Sequence, residues 1–353
     1  MIGIITQPLG YNYGGILQNY ALQKALKKLG FDSITIDNTY RYSILRYRIS
    51  YLLSLFLNLI GKRRNLPHKP YKGRNIPIIT GKFIFHNINL GHSCDGFSTN
   101  TIKKYGIDTL IVGSDQVWRP AYNKSINNMF LDFAPSKCKK ISYAASFGTN
   151  QWEYSEEETL KCKDLLKSFV AVSVREKSGI ELAKQYLNYT NVHFVLDPTL
   201  LLEKSDYISL CRKFPIKKSF YLCAYILDLS EEKKHIINSI ANKKGLKVHF
   251  FSAHEKLTLS VEEWLCNFRD ASFVVTDSFH GTVFSIIFEK DFIVFPNNER
   301  GKDRFVSLLS ELGLLDRIYN NINNYEDTIQ WEKVNKRLLS MKQHSLCYLK
   351  NNL

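Results

Sequence analysis

Four short polar stretches interrupt apolar runs in this sequence, and each carries residue types that bind or protonate anions. In "SFVVTDSFHGTVFSIIF" the residues Asp277, Ser278, His280 and Gly281 stand between two apolar segments. Arg175 and Glu176 follow "VAVSV", Ser114 and Asp115 follow "LIV", and Asn12, Gly14 and Gly15 come shortly after "IGIIT". The chemistry they offer is acid–base catalysis on a bound anion. A histidine in a first helical turn lies in the positive field of the helix, which disfavours its imidazolium. The free N–H groups there attract phosphate or carboxylate, and an anion docked beside the ring favours the charged form. His280 so placed becomes a proton donor once its anionic substrate is bound. A plainer reading stands beside each stretch. "NYGG" lacks the full GxGxxG pattern and fits a turn, and Asp115 fits a turn cap. Arg175 fits a surface ion pair, and Asp277 or Ser278 a simple helix cap.

The elements that must hold these residues alternate. "IGIIT" reads as a strand, "ILQNYALQKALKKLG" as a helix with Leu17, Ala21 and Ala25 on one face, and "SITID" as a second strand. Such a βαβ unit builds parallel sheet. Strands recur at "DTLIV", "KKISYAA", "VAVSV", "NVHFVL", "SFYLCAYIL", "LKVHFF", "SFVV" and "FIVF", with helical patterns among them. "SEEETLKCKDLLKSF" opens on a capping box of Ser155 with Glu158, and the chain closes on one long helix from Trp331. The alternation predicts an α/β protein of two Rossmann-like domains, 1–168 and 169–353, with a basic, partly apolar insertion at about 40–100. All four polar sets then fall at carboxyl ends of strands, the edge where open α/β sheets bind ligands.

The formal net charge of +15 over 353 residues favours an anionic partner: nucleic acid, membrane lipid or a phosphorylated substrate. No zinc-finger spacing or RNP-like aromatic motif is present, which argues against nucleic acid. Seven cysteines without a CxxC pair fit a reduced, cytoplasmic chain, and "MIGIITQPLG" lacks the basic n-region of a signal peptide. No spacing of Cys, His or carboxylates marks a metal site. The basic charge is concentrated between Arg41 and Arg74, around "YLLSLFLNLI". That apolar run is shorter than the roughly 20 residues a spanning helix needs. Its basic flanks suit a helix lying among anionic headgroups, and a helical insertion packed on the domain surface fits equally well.

The ordered set "NYGGILQNYALQKALKKLG" (12–30), "DTLIVGSDQVWRP" (108–120), "ISYAASFG" (141–148), "VSVREKSG" (172–179), "VLDPTLLL" (195–202) and "TDSFHGTVFSIIF" (276–288) resembles the polysaccharide pyruvyl transferase family. The resemblance implies a fold similar to GT-B glycosyltransferases, with the active site in the cleft. It implies transfer of the pyruvyl group of phosphoenolpyruvate, a donor substrate with no separate cofactor, to a sugar hydroxyl pair of a polysaccharide or lipid-linked oligosaccharide. Carried over, His280 matches the family's histidine as general acid/base and Arg175 an arginine implicated in phosphoenolpyruvate binding. Asp115, by position alone, is the candidate base for the hydroxyl. Ser114, Asp277, Ser278, Gly281, Asn12, Gly14 and Gly15 are expected to line the substrate site. One departure stands out: many members carry arginine two positions before the histidine, where this chain has Ser278. Serine hydrogen-bonds phosphate but supplies no charge, so Lys302 or Arg304 is the candidate replacement. Capsular and exopolysaccharide units are commonly assembled on lipid carriers at the inner membrane face, which would give the segment Arg41–Arg74 a role in peripheral contact with anionic lipid. Two other readings stay open: a glycosyltransferase using a nucleotide sugar, and a non-catalytic partner in a polysaccharide assembly complex.

Overall fold

The computed structural model describes the chain except residues 39–42, 63, 65, 68, 93–94, 217–219, 253–257, 297–300 and 321–326. Arg41, Arg63 and Cys94 therefore lie outside the described residues. The opening apolar run forms β1 (Ile2–Ile5), wholly buried, and α1 (Tyr13–Lys28) returns the chain to β2 (Ser33–Thr35), which pairs with β1 in parallel. Leu17, Ala21 and Ala25 are all buried, as the periodicity predicts. The chain then leaves the sheet through α2 (Ile44–Leu59), the hairpin β3 (Pro70–Tyr71) and β4 (Arg74–Pro77), α3 (Ile78–Asn87) and α4 (Thr99–Lys104). This part is more regular than its prolines suggest. Arg74 is buried in an ion pair with Asp37, and α3 buries Phe83 and Ile84. β5 (Thr109–Val112) and β6 (Lys139–Ser142) complete a parallel sheet of order β2-β1-β5-β6.

Next come α5 (Glu156–Leu166), whose Ser155–Glu158 capping box forms, then β7 (Val172–Val174), α6 (Lys177–Leu187) and β8 (Val192–Phe194). The boundary expected at 168/169 falls between α5 and β7. β7 pairs with β8, and parallel bridges Ile141–Ala171 and Ala145–Val174 attach it to β6. The physical reason is local: Ser142 Oγ donates to Ser173 O and Ser173 Oγ to Ser142 O, both at 2.9 Å, so buried hydroxyls stitch the two strands together. The first layer thus runs on to Phe194.

After α7 (Lys204–Leu210) the second layer is built from β9 (Tyr221–Tyr225), α8 (Glu231–Lys243), β10 (Lys247–Phe251), α9 (Val261–Asp270), β11 (Phe273–Thr276), α10 (Phe279–Ile287) and β12 (Phe292–Val294). Its order is β10-β9-β11-β12, again all parallel. α11 (Lys302–Leu312) and α12 (Trp331–Asn352) close the chain. α12 reaches back to the first layer, where Tyr348 OH donates to Ser142 O at 2.9 Å. From the other side, Tyr13 of α1 stacks on Trp264 of α9, and one apolar cluster joins both layers.

Each sheet reverses direction once. In the first the chain moves from β1 outward to β2 and then to β5 on the other side; in the second it moves from β9 to β10 and then to β11. Ligands of open α/β sheets bind outside the carboxyl ends of the strands at such switch points. Asp115, Leu227, Asp277 and Ser278 stand just past those ends and line one cavity.

Candidate active site

That cavity measures about 90 Å³ and is lined by residues from both layers, among them Asn12, Asp115, Tyr122, Ser278, His280 and Arg304. A larger hollow of about 440 Å³ lies past the ends of β1 and β2 and shares Tyr122 with it. Three helices begin at the small cavity: Asn12 is the N-cap of α1, Ser278 the N-cap of α10, and Arg304 lies in the first turn of α11. Their dipoles make its potential favourable to an anion.

His280 is fixed by the way α10 starts. Ser278 Oγ accepts the N–H of Gly281 at 3.3 Å, and the Ser278 N–H donates to Thr276 Oγ1 at 3.1 Å. A Cβ at Gly281 would stand 2.3 Å from Thr276 Oγ1, so glycine is what lets the turn pack on its own strand. The imidazole is buried. On one side it faces Gly14, where a Cβ would stand 2.0 Å from Nδ1. On the other side Nε2 lies 3.6 Å from Asp197 Oδ2, just beyond hydrogen-bond length.

Asp197 organises the floor beneath the ring. Its Oδ2 accepts from Arg175 Nη1 at 2.8 Å and Ser114 Oγ at 3.3 Å, and its Oδ1 from Thr199 N–H at 3.0 Å and Oγ1 at 2.6 Å. Complete burial opposes the carboxylate, but His280, Arg175 and Thr199 outweigh it and hold the carboxyl far below its usual range. Arg175 is buried too, with a second, longer contact of 3.4 Å to Asp115 Oδ1 and its guanidinium 4.8 Å from the Phe279 ring. Burial works against its charge, and Asp197 and Asp115 raise its pKa nonetheless. Arg304 packs 5.5 Å from the same ring; burial, then the like charge of Arg175, lower it to about 10, which leaves it charged at neutral pH. Glu176, buried beside them, accepts the Phe147 N–H at 2.8 Å, and burial pushes its carboxyl up. Asp115 adopts a left-handed backbone (φ +79°), as does Ala144 nearby (φ +49°). Such conformations in non-glycine residues cluster at functional sites.

The sequence-predicted residues separate into three groups. His280, Asp115, Ser278, Asn12 and Arg304 line the cavity, with Gly14 and Gly15 buried in the first turn of α1 behind them. Ser114 and Arg175 lie one layer beneath it, holding Asp197. Both ends of the Arg175 guanidinium meet carboxylates, Asp197 and Asp115. Asp277 borders the cavity, but its carboxylate is spent on structure: Oδ1 accepts the Leu227 N–H at 2.6 Å, and Oδ2 the Asp228 N–H at 3.1 Å and Lys233 Nζ at 2.8 Å. Lys302 is exposed and does not line the cavity, so of the two candidate replacement cations Arg304 is the one in place. Asp197 escaped the sequence reading as a site residue. Its signal was present, an acid after the strand "NVHF" and directly before Pro198, but a turn explains that as readily.

Residues 12–299 match the family model described as polysaccharide pyruvyl transferase, and the chain belongs to that family. A search of curated proteins returned no match. Among solved structures the chain is similar to the UDP-GlcNAc 2-epimerase of Methanocaldococcus jannaschii in complex with UDP-GlcNAc and UDP, at 14% identity over 96% of this chain and 92% of that one, TM-score 0.46. It is also similar to an uncharacterised protein of Klebsiella pneumoniae (14% identity, 84% and 85% covered, TM-score 0.44) and to the Escherichia coli heptosyltransferase WaaC with ADP (12%, 86% and 92%, 0.33). At these scores none of them bears on the ligand.

Proposed function

We propose that this member of the family moves the pyruvyl group of phosphoenolpyruvate onto two hydroxyls of a sugar in a cell-surface polysaccharide or its lipid-linked precursor. The product is a pyruvate ketal, and phosphate is released. The observation that carries the reading is His280 set between Gly14 and the ionised, buried Asp197, in one small cavity with Arg304. That is a proton donor with a fixed counter-charge behind it and a cation beside it.

In this reading Arg304 and the starts of α1 and α10 hold the donor's phosphate and carboxylate. Protonated His280 gives its proton to the methylene carbon of the enol phosphate, which becomes the methyl group. Positive charge develops at the adjacent carbon, where one sugar hydroxyl adds. The C–O bond to phosphate breaks, phosphate leaves with the electron pair, and the second hydroxyl closes the ketal. Two hydroxyl protons are released: one restores His280, and the other leaves on phosphate, by way of Asp115. Asp197 stabilises the imidazolium, and Arg175 keeps Asp197 and Asp115 in position. The larger hollow beside Tyr122 has room for the acceptor sugar.

Calorimetric titration with phosphoenolpyruvate tests this without knowledge of the acceptor. The wild type is expected to bind, Arg304→Ala to weaken binding at least about tenfold, and His280→Ala to weaken it less. With lipid-linked oligosaccharides supplied, phosphate release by His280→Ala should fall about 10²–10⁴-fold. Binding of nucleotide sugars without binding of phosphoenolpyruvate, with or without those acceptors, would overturn the reading in favour of glycosyl transfer.

A further inference from the structure

Helix α2 is inside out. A surface helix normally turns its apolar stripe to the core and its polar face to water. Here Ser54 is the one buried residue, its hydroxyl donating to Ser50 O at 2.8 Å, and Tyr47, Ser50, Tyr51 and Leu57 are half-buried along the same side. The outward face carries Leu45, Ile49, Leu52, Phe56 and Leu59 at spacings of three and four, with Leu52 64%, Phe56 59% and Leu59 86% exposed. A contiguous apolar face of this kind marks an interaction surface.

The surrounding charge says what the surface meets. From residue 38 to 94 the sequence has ten lysines and arginines and no aspartate or glutamate. Arg46 and Arg48 in α2, and Lys62 and Arg64 just past its end, are exposed. Sixteen residues at about 1.5 Å each give roughly 24 Å, short of the roughly 30 Å hydrocarbon core. No described helix is long and apolar enough to cross a membrane. A helix of this kind lies along a bilayer, not through it.

We propose that α2 is a membrane-contact element that rests in the plane of an anionic lipid surface. Its apolar face sits among the acyl chains, with the flanking arginines and lysines at the level of the phosphates. The competing occupant is a second copy of this chain. Two copies meeting here would bring their carboxylate-free, basic segments together, so charge selects lipid. The inference rests on α2 alone, and its failure leaves the proposed donor chemistry untouched.

Flotation of the full chain with vesicles tests it, using phosphatidylcholine alone and phosphatidylcholine with roughly a quarter phosphatidylglycerol. The chain is expected to float with the anionic vesicles and to be released by salt. Leu52→Gln with Phe56→Gln, which leaves charge unchanged, should reduce the bound fraction at least about tenfold. Arg46→Gln with Arg48→Gln should weaken binding to the anionic vesicles about fivefold per residue. Circular dichroism should be the same for both variants and the wild type, because the replaced side chains are exposed. Absence of flotation, or equal flotation of the Leu52/Phe56 variant, would sink the proposal. A dimer in light scattering that this variant dissociates, with no vesicle binding, would assign the face to a second copy instead.

Discussion

Around His280 the chain buries groups that ordinarily stay in water, whereas along α2 it exposes groups that ordinarily stay out of it. Asp197, Arg175, Glu176 and Arg304 are all nearly inaccessible, and Leu52, Phe56 and Leu59 are mostly accessible. Both regions depart from the usual partition, but they resolve the conflict differently. In the site Asp197 and Arg175 are paired within the chain, through contacts of 2.6 to 3.6 Å that join Asp197 to Arg175, Thr199, Ser114 and His280. In α2 the apolar face stays exposed among the described residues. The first region pairs its central charges within the chain; the second turns its apolar face outward. Departures from local consistency tend to fall at functional places, and here their two forms point to two functions.

The comparison breaks most visibly if the buried cluster is opened. Asp197→Asn leaves Arg175 facing an uncharged amide, and removal of one member of a buried pair costs about 3–5 kcal/mol. Urea denaturation at neutral pH should show that loss. The pH dependence carries the sign. Asp197 is depressed in the folded chain, so its stabilisation is present above the unfolded carboxyl's pKa near about 4 and is lost as pH falls below it. The wild type should therefore lose stability on acidification through that range more steeply than Asp197→Asn. Parallel curves would mean that Asp197 is not ionised in the fold.

A smaller effect is expected from Gly14→Ala. Elsewhere in a helix this exchange stabilises by up to about 1 kcal/mol. Here the new methyl meets the imidazole at 2.0 Å, so either the ring or the start of α1 must shift. Under the proposed reaction, displacement of a proton donor by about 1 Å costs about 10²-fold in turnover. Phosphate release and thermal melting on the same variant separate the outcomes: lost rate with a preserved melt places the ring at the reacting atoms. Unchanged rate would mean that the clash is relieved without moving the imidazole from its place.

Much of this was legible because parallel strands must end somewhere. Polar residues after "SFVV" and "LIV" could only meet at carboxyl edges, and His280, Ser278 and Asp115 do. What stayed hidden depends on contacts distant in sequence. Asp277 resembles a ligand contact until the N–H groups of Leu227 and Asp228, about fifty residues earlier, are seen to occupy it. Nor does the sequence show that Asp197 and Asp115 take both ends of the Arg175 guanidinium. The attachment of β7 to β6 was hidden because "VAVSV" reads the same whether it begins a new sheet or extends an old one; the Ser142–Ser173 hydroxyl exchange makes that attachment. α2 shows the same limit. Its apolar run with basic flanks suits a helix among headgroups and a helix packed on the surface equally well, and nothing local says that Ser54 is the side turned inward.

The smallest expected effect is the one that sharpens the contrast most. Leu52→Gln with Phe56→Gln removes two large apolar side chains, a change that in a core costs several kcal/mol. On α2 these side chains are 64% and 59% exposed, and glutamine keeps good helix propensity at both places. Urea denaturation without lipid should therefore stay within about 0.5 kcal/mol of the wild type. A loss of 2 kcal/mol or more, the range about of core truncation, would mean that the chain itself covers this face in solution and that α2 is an ordinary packed helix. A negligible loss, together with loss of vesicle binding, would mean that the apolar side of α2 contributes nothing to the fold and everything to where the protein sits. The site and the helix would then be separable: one changes with pH and ligand, the other with lipid, and neither should register a mutation in the other.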